Sequence, residues 1–240
     1  MVLFTPNTIK LIKEYLLLNN DAILVINFFD LCLDSSFNNF DILKGLNIRN
    51  LLLSHISCKE KDIDTSYLLN INSLVTLDDR NSELPYDFSR MPNLEVLRYG
   101  WTPKCKNLNT YNILIELGLW GYKPKSKDLT AFSTFTNLIE LRLLQSNIRT
   151  IIGLEKTNNI KTLSLVYNRA LDLKNVDFVM ESVEDLYIEN CPKINKEDVI
   201  RIFPNVKSLV FASKRLSKDI KRYFIENLKN LKEFDETGCN

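Results

Sequence analysis

The sequence lacks the short motifs that mark common catalytic and metal sites. Its cysteines contain no C-x-x-C pair, so neither a zinc site nor a thioredoxin-like redox motif is indicated. No P-loop, G-x-G-x-x-G, H-E-x-x-H or G-x-S-x-G pattern occurs either. The cysteine count of five is odd, which is typical of free thiols in a reducing compartment. We therefore expect no metal, no cofactor and a cytoplasmic location.

An excess of charge and a long hydrophobic run are missing as well. The 31 Lys and Arg residues balance 30 Asp and Glu residues, so a general affinity for phosphate backbones or acidic membranes is not expected. Charges between Lys10 and Glu14 argue against a signal peptide. The most apolar run, residues 22–33, contains Asn27 and Asp30 and is too short to span a bilayer.

What the sequence does contain is a repeat. The frame apolar-x-x-apolar-x-apolar, whose residues we number one to six, begins at residues 48, 74, 94, 114, 138, 160, 183, 206 and 231. The copies from 74 and 231 depart at position six, where Asp79 and Glu236 stand. A weaker, earlier copy is expected at Ile23, Ile26 and Phe28. Spacings of 20 to 26 residues are typical of leucine-rich repeats.

Two copies carry a longer pattern. The copy from Val183 has Cys191 at position nine and Ile194 after it, and the copy from Ile160 has Asn168 and then Leu171. The pattern resembles the leucine-rich-repeat family, whose unit reads L-x-x-L-x-L-x-x-N/C-x-L. Other copies depart at position nine, where Tyr122, Ser146 and Lys214 stand.

The resemblance implies an α/β solenoid of the leucine-rich-repeat type. Such a fold is a right-handed superhelix with a parallel sheet on the concave face and helices or loops on the convex face. Positions one, four and six would point into a core that neighbouring repeats share, and positions three and five would point outward. The resemblance also implies that the concave face recognises a protein or peptide.

We predict one leucine-rich-repeat domain over residues 1–240. An N-terminal cap over 1–47 leaves room for a degenerate first repeat, the repeats cover 48–211, and a C-terminal helix and cap cover 212–240. The cap helix is expected over 6–19, after an N-cap at Thr5-Pro6. An outer helix should begin at Asn195, and a last helix is indicated by Leu216, Ile220, Phe224 and Leu228. Caps that cover the sheet edges predict a monomer.

Candidate contact residues fall in the middle repeats. Glu116 and Glu140 share the position-three row, whereas Arg98, Gly118 and Arg142 share the position-five row. Both tryptophans follow these strands, and each would face a glycine, Gly100 or Gly121, of the neighbouring repeat. Trp, Tyr and Arg are enriched in binding hot spots. We predict a protein partner bound by Arg98, Trp101, Glu116, Trp120, Tyr122, Glu140, Arg142 and Tyr167.

Other interpretations stay open. The indole rings could pack into loops while the charges neutralise one another. A toxin-neutralising inhibitor would have the same sequence features as an adaptor. A basic group near the last helix could contact nucleic acid or an acidic partner; its members are Lys214, Arg215, Lys218, Lys221 and Arg222. The loop lysines 123, 125 and 127 and the single His55 are expected to have ordinary surface roles. Glu116 and Glu140 could be paired acids of a hydrolase, but an open face would not exclude water, so we expect no enzyme.

Overall fold

The computed structural model describes residues 1–3, 9–27, 39–54, 63–81, 84–110, 112–212 and 219–236. The chain divides into two compact units, residues 1–114 and 115–240, and each is described by itself. The single domain therefore remains a prediction. Thr5-Pro6, Phe28, His55, Leu216 and the basic residues 214, 215 and 218 lie outside the described residues.

The described residues of the first unit form five parallel strands that neighbour one another in chain order. They are β1 (Val2–Leu3), β2 (Ile23–Asn27), β3 (Asn50–Ser54), β4 (Thr76–Asp79) and β5 (Val96–Gly100). Helix α1 (Ile9–Leu18) buries Ile12 and Leu16, as expected of a cap helix, and α2 covers Ser66–Leu69. Short 3₁₀ helices at Asp41–Leu43, Phe88–Arg90 and Leu108–Thr110 lie in the segments between strands.

Register in this unit follows the predicted frame from β3 onward. Position three pairs with position three, for instance Asn50 with Thr76, and the position-four leucines Leu51, Leu77 and Leu97 are buried. The weaker copy is a strand, but its predicted frame was wrong by two residues. Leu24 pairs with Leu51, so Leu24 and Ile26 are the buried positions four and six, whereas Ile23 is 41% exposed.

A buried carboxylate replaces the position-six leucine of β4. Asp79 is fully buried and accepts a hydrogen bond of 2.7 Å from the Tyr86 hydroxyl. Tyr86, Phe88 and Tyr99 pack together, with ring centroids 5.5 to 6.0 Å apart. The departure from the repeat pattern is therefore accommodated because a tyrosine in the following segment satisfies the acid.

In the described part of the second unit there are six parallel strands, also in chain order. They are β6 (Glu116–Trp120), β7 (Glu140–Leu144), β8 (Thr162–Val166), β9 (Asp185–Glu189), β10 (Ser208–Ala212) and β11 (Glu233–Asp235). A 3₁₀ helix (Thr130–Phe132) and helices α3 (Lys196–Ile202) and α4 (Ile220–Asn227) lie between strands. Every position-three residue again faces its equivalent in the next strand.

The two predicted outer helices of this unit are confirmed. The Asn195 side chain accepts a hydrogen bond of 2.8 Å from the backbone N–H of Asp198, so it caps α3. On α4, Ile220 and Phe224 are buried one turn apart, and Leu228 is buried just after the helix ends. Parallel strands, one per repeat, joined by helices and loops, confirm the predicted leucine-rich-repeat fold class.

Position nine connects successive repeats of the second unit through buried side chains. The Asn168 side-chain amide donates a hydrogen bond of 2.8 Å to the Leu143 carbonyl. Its oxygen accepts a hydrogen bond of 2.9 Å from the Ser146 backbone N–H. Cys191 occupies the same position one repeat later, and its thiol donates 3.2 Å to the Leu165 carbonyl. Burial raises the pKa of the Cys191 thiol to about 11, so the sulfur keeps the proton that this bond requires.

A second set of polar contacts lies at the other ends of the strands. Three asparagines that directly precede position one each donate a hydrogen bond to a backbone carbonyl of the preceding repeat. Asn93 bonds the Asn72 carbonyl in the first unit, and Asn159 and Asn205 bond those of Thr136 and Glu181 in the second, at 2.7 to 3.0 Å. The strands are therefore connected by side chains at both ends.

Candidate functional site

The eight predicted contact residues fall in both units. Arg98 and Trp101 belong to the first unit, and the other six belong to the second. Within the described helices, none is long and apolar enough to cross a membrane.

In the first unit, Arg98 lies beside a carboxylate of its own position-five row. Asp78 is paired in register with Arg98, and the Arg98 guanidinium lies 3.6 Å from its carboxylate. The Arg80 guanidinium donates two hydrogen bonds, of 2.7 and 2.8 Å, to the same carboxylate. The acid next to Arg98 in this unit is thus Asp78, which was visible in the position-five row but was not selected.

The second unit presents what we call the strand face. It consists of the outward positions three, five and seven of strands β6 to β10 and positions three and five of β11. The buried apolar residues at positions four and six of β6 to β10 lie opposite. Six strands at about 4.8 Å spacing span about 24 Å across this face. Four of the six predicted second-unit residues, Glu116, Trp120, Glu140 and Arg142, lie on this face, and Tyr167 lies at its edge, so we take it as the candidate site.

Charged residues occupy the β6–β7 end of the strand face. Glu116 pairs in register with Glu140, and Gly118 pairs with Arg142. Arg142 forms an ion pair with Glu140, two residues earlier on its own strand. About half of the Arg142 side chain remains exposed, so the guanidinium can still meet a partner.

An apolar row lies beside these charges, at position seven. Its members, Trp120, Leu144 and Val166, pair with one another in register across β6, β7 and β8, and all three are partly exposed. Only Trp120 was predicted to be a contact residue. Leu144 and Val166 were missed because the outward rows were compared only at positions three and five.

The strands of this unit end in an unusual backbone conformation. The position-eight residues Gly121, Gln145, Tyr167 and Asn190 all have positive φ, between 51° and 68°. In each case the position-eight N–H donates to the position-seven carbonyl of the next repeat, at 2.8 to 2.9 Å. Gly121 adopts this conformation without cost, whereas Tyr167 adopts it against the preference of a bulky L-residue. The turn leaves the Tyr167 side chain 43% exposed at the edge of the strand face.

The glycines at the two tryptophans have their own structural reasons. A Cβ on Gly100 would lie 2.4 Å from the Arg80 carbonyl oxygen, so only glycine fits there. The positive φ of Gly121 favours glycine, although Gln145, Tyr167 and Asn190 adopt it at the equivalent positions, and no heavy atom lies within 4 Å of where the Gly121 Cβ would stand. The expected meeting of each indole with a glycine of the other unit stays a prediction.

Tyr122 is a core residue. It is buried, and its ring packs 5.1 Å from that of Phe132, centroid to centroid. Tyr122 stands at position nine, and the position-nine side chains of the following repeats, Ser146 and Asn168, are buried as well. We therefore leave Tyr122 out of the candidate site.

The structure also bears on chemistry at other residues. Burial raises the pKa of both described thiols, Cys105 and Cys191, to about 11, so both are protonated at neutral pH.

Among the described residues, no group of three or more His, Cys, Asp or Glu side chains could hold a metal ion. A depression of about 520 Å³ in the second unit is lined only by residues between the strands, including Leu154, Val179 and Asn205. None of the residues that line this depression lies on the strand face.

An open face of parallel strands, built one strand per repeat, defines the leucine-rich-repeat class of fold. A solved internalin from Listeria monocytogenes is similar to this chain, with a TM-score of 0.56 and 14% sequence identity over 90% of this chain and 67% of the internalin chain. At that identity the similarity shows the fold alone. No protein-family model matches the sequence, and no match to a curated protein was found.

Proposed function

We propose that this protein is a non-enzymatic binding module and that a protein partner docks on the strand face of the second unit. The observation that carries the proposal is the apolar row, which is partly exposed and lies directly beside Arg142 and Tyr167. A rigid sheet that presents Trp, Tyr and Arg together has the composition of a binding hot spot.

Several features favour binding over catalysis. The face is open, so nothing would shield a reaction from water. Glu140, one of the two acids a hydrolase would need, is engaged by Arg142. Neither described thiol is ionised at neutral pH, so neither is activated as a nucleophile.

The test uses the full chain as bait in a lysate of its source. Trp120→Ala removes the largest apolar side chain of the face, and Ile225→Ala is the matched control, because Ile225 is 56% exposed on α4. Both variants are first shown to be folded. A partner that is captured by the wild type and by Ile225→Ala but lost with Trp120→Ala supports the proposal. A partner retained by both variants contradicts it.

Trp101→Ala is tested separately, because Arg98 and Trp101 of the first unit stay predicted contacts. Loss of the same partner with this variant would extend the docking surface to the first unit. Retention would restrict the surface to the second unit.

The captured complex also distinguishes an adaptor from a toxin-neutralising inhibitor. We propose a monomeric, cytoplasmic protein, and the inhibitor form predicts tight one-to-one binding and a toxin gene beside its own. The basic C-terminal group is the alternative surface. Of its members, Lys221 and Arg222 lie on α4, and Arg222 is ion-paired with Glu226 at 2.7 Å.

A further inference from the structure

The charges on the strand face are strongly biased, although the whole chain is nearly neutral, with 31 basic and 30 acidic residues. One basic side chain, Arg142, points outward from β6 to β11. The outward acids number six, of which only Glu189 is buried. These acids are Glu116, Glu140, Asp185, Glu189, Glu233 and Asp235.

The basic residues on the face and in the position-two row do not remove the bias. Arg142 is matched by Glu140 in their ion pair. Position two, where the strands begin, carries Lys161, Glu184, Lys207 and Lys232. Within that row Lys207 lies 2.7 Å from Glu184. The hydrogen bond from Lys207 holds the pKa of Glu184 below its usual value, and the positive charges of Lys161 and Lys232 act in the same direction. Even with this rim included, acids outnumber bases on the strand face.

Aromatic rings accompany the acids. Tyr187 is 36% exposed at position five of β9, two residues after Asp185 and in register with Ser164 and Val210. Tyr167 is exposed at the edge of the same face. Aromatic ring faces attract ammonium and guanidinium groups, as do carboxylates.

We infer that the partner presents a basic segment or patch, rich in Lys and Arg, to this face. The inference rests on the proposed function and names the chemistry of its partner. The partner's cations lie against Asp185 and Glu233 and over the ring of Tyr187. An apolar side chain of the partner lies against the apolar row, at the other end of the face.

The sign of the charge selects among classes of partner. Nucleic acids and anionic lipid surfaces carry negative charge, which carboxylates at this spacing repel. At physiological salt the screening length is about 8 Å, so acids on neighbouring strands act together on one bound segment. A basic protein surface is the occupant that the charge of this face complements.

The first experiment measures binding of labelled oligoarginine and oligoglutamate peptides to the full chain. About eight extended residues span the face of about 24 Å. The face variant is Asp185→Asn/Glu233→Gln. The matched control is Asp177→Asn/Glu181→Gln, which removes one Asp and one Glu from exposed positions between strands of the same unit.

We expect oligoarginine to bind at low salt and to weaken steeply as salt is raised, whereas oligoglutamate does not bind. The face variant should bind oligoarginine about fivefold more weakly, and the control should stay within about twofold of the wild type. Absence of oligoarginine binding at low salt would overturn the inference. Equal weakening in both variants would also overturn it, because the attraction would then belong to the chain as a whole.

The captured partner separates this inference from the proposed function. A partner lost with Trp120→Ala but retained, at all salt concentrations, by Asp185→Asn/Glu233→Gln would leave the binding module standing and refute its basic partner. A partner retained by both variants would refute the docking surface itself. Loss with both variants, in a salt-dependent manner, is the expected result.

Discussion

Asn168 should be among the most costly polar positions of the second unit to change. It is fully buried, and its side chain takes part in three hydrogen bonds, with Leu143 and twice with Ser146. Asn168→Ala leaves the backbone N–H of Ser146 and the carbonyl of Leu143 without this partner. Each unsatisfied group costs about 1–3 kcal/mol, so we expect the free energy of unfolding to fall by about 3–4 kcal/mol.

Asn159→Ala is the matched control. Asn159 is exposed and makes one side-chain hydrogen bond, 2.7 Å to the Thr136 carbonyl, so its loss should cost less than about 1 kcal/mol. Asn168→Cys should give an intermediate result. The thiol of Cys191 makes the equivalent bond one repeat later, but a thiol does not replace the oxygen that accepts from Ser146.

Urea unfolding followed by tryptophan fluorescence checks this prediction. Trp120 reports on the second unit alone when Trp101 is replaced by Phe, because the chain has two tryptophans and Trp101 lies in the first unit. In thermal unfolding the expected loss corresponds to a Tm lower by about 6–16 °C for a chain of this length. If Asn168→Ala lowered the free energy of unfolding no more than Asn159→Ala, the buried side chains at position nine would not be what connects the repeats.

Two further predictions concern buried groups. Burial raises the pKa of the Cys191 thiol from 9.0 to about 11, so its contribution to stability is present below pH 9 and is lost as pH rises through about 11. The stability difference between the wild type and Cys191→Ser should shrink by about 2–3 kcal/mol over that range, and a constant difference in urea unfolding would contradict the argument. Tyr86→Phe removes the hydroxyl that donates to buried Asp79, so it should lower the free energy of unfolding by about 1.5–3 kcal/mol; an unchanged midpoint would show that Asp79 does not depend on Tyr86.

The strand register could be predicted because it depends on residues close in sequence. Most repeats place apolar residues at positions four and six, and burial of those side chains fixes which residues face the next strand. The frame failed at β2 for the same reason. Residues 22–26 are all apolar, so alternation does not distinguish the inward from the outward side chains there. Only the pairing of Leu24 with Leu51 resolves it.

Side-chain partners between repeats were predictable only where a pattern marked them. The Asp78–Arg98 contact could have been found, because the two residues are neighbours in the position-five row. The asparagines before position one also recur visibly, at Asn93, Asn159 and Asn205. The Tyr86–Asp79 bond could not have been found, because its geometry depends on the course of the segment after β4, which no periodicity fixes.

The strand face is where sequence and fold constrain each other least, and this is why its charge is informative. Inward positions must be apolar for the repeats to share a core, so they carry information about folding. Outward positions need only be compatible with a strand, and a mixture of both charges would satisfy that requirement with less repulsion. Glu116 and Glu140 are instead adjacent in register, and Asp185 and Glu233 lie on either side of Ser208 in the same row. Nothing in the packing of the fold requires that arrangement, whereas a basic partner would offset the repulsion it creates.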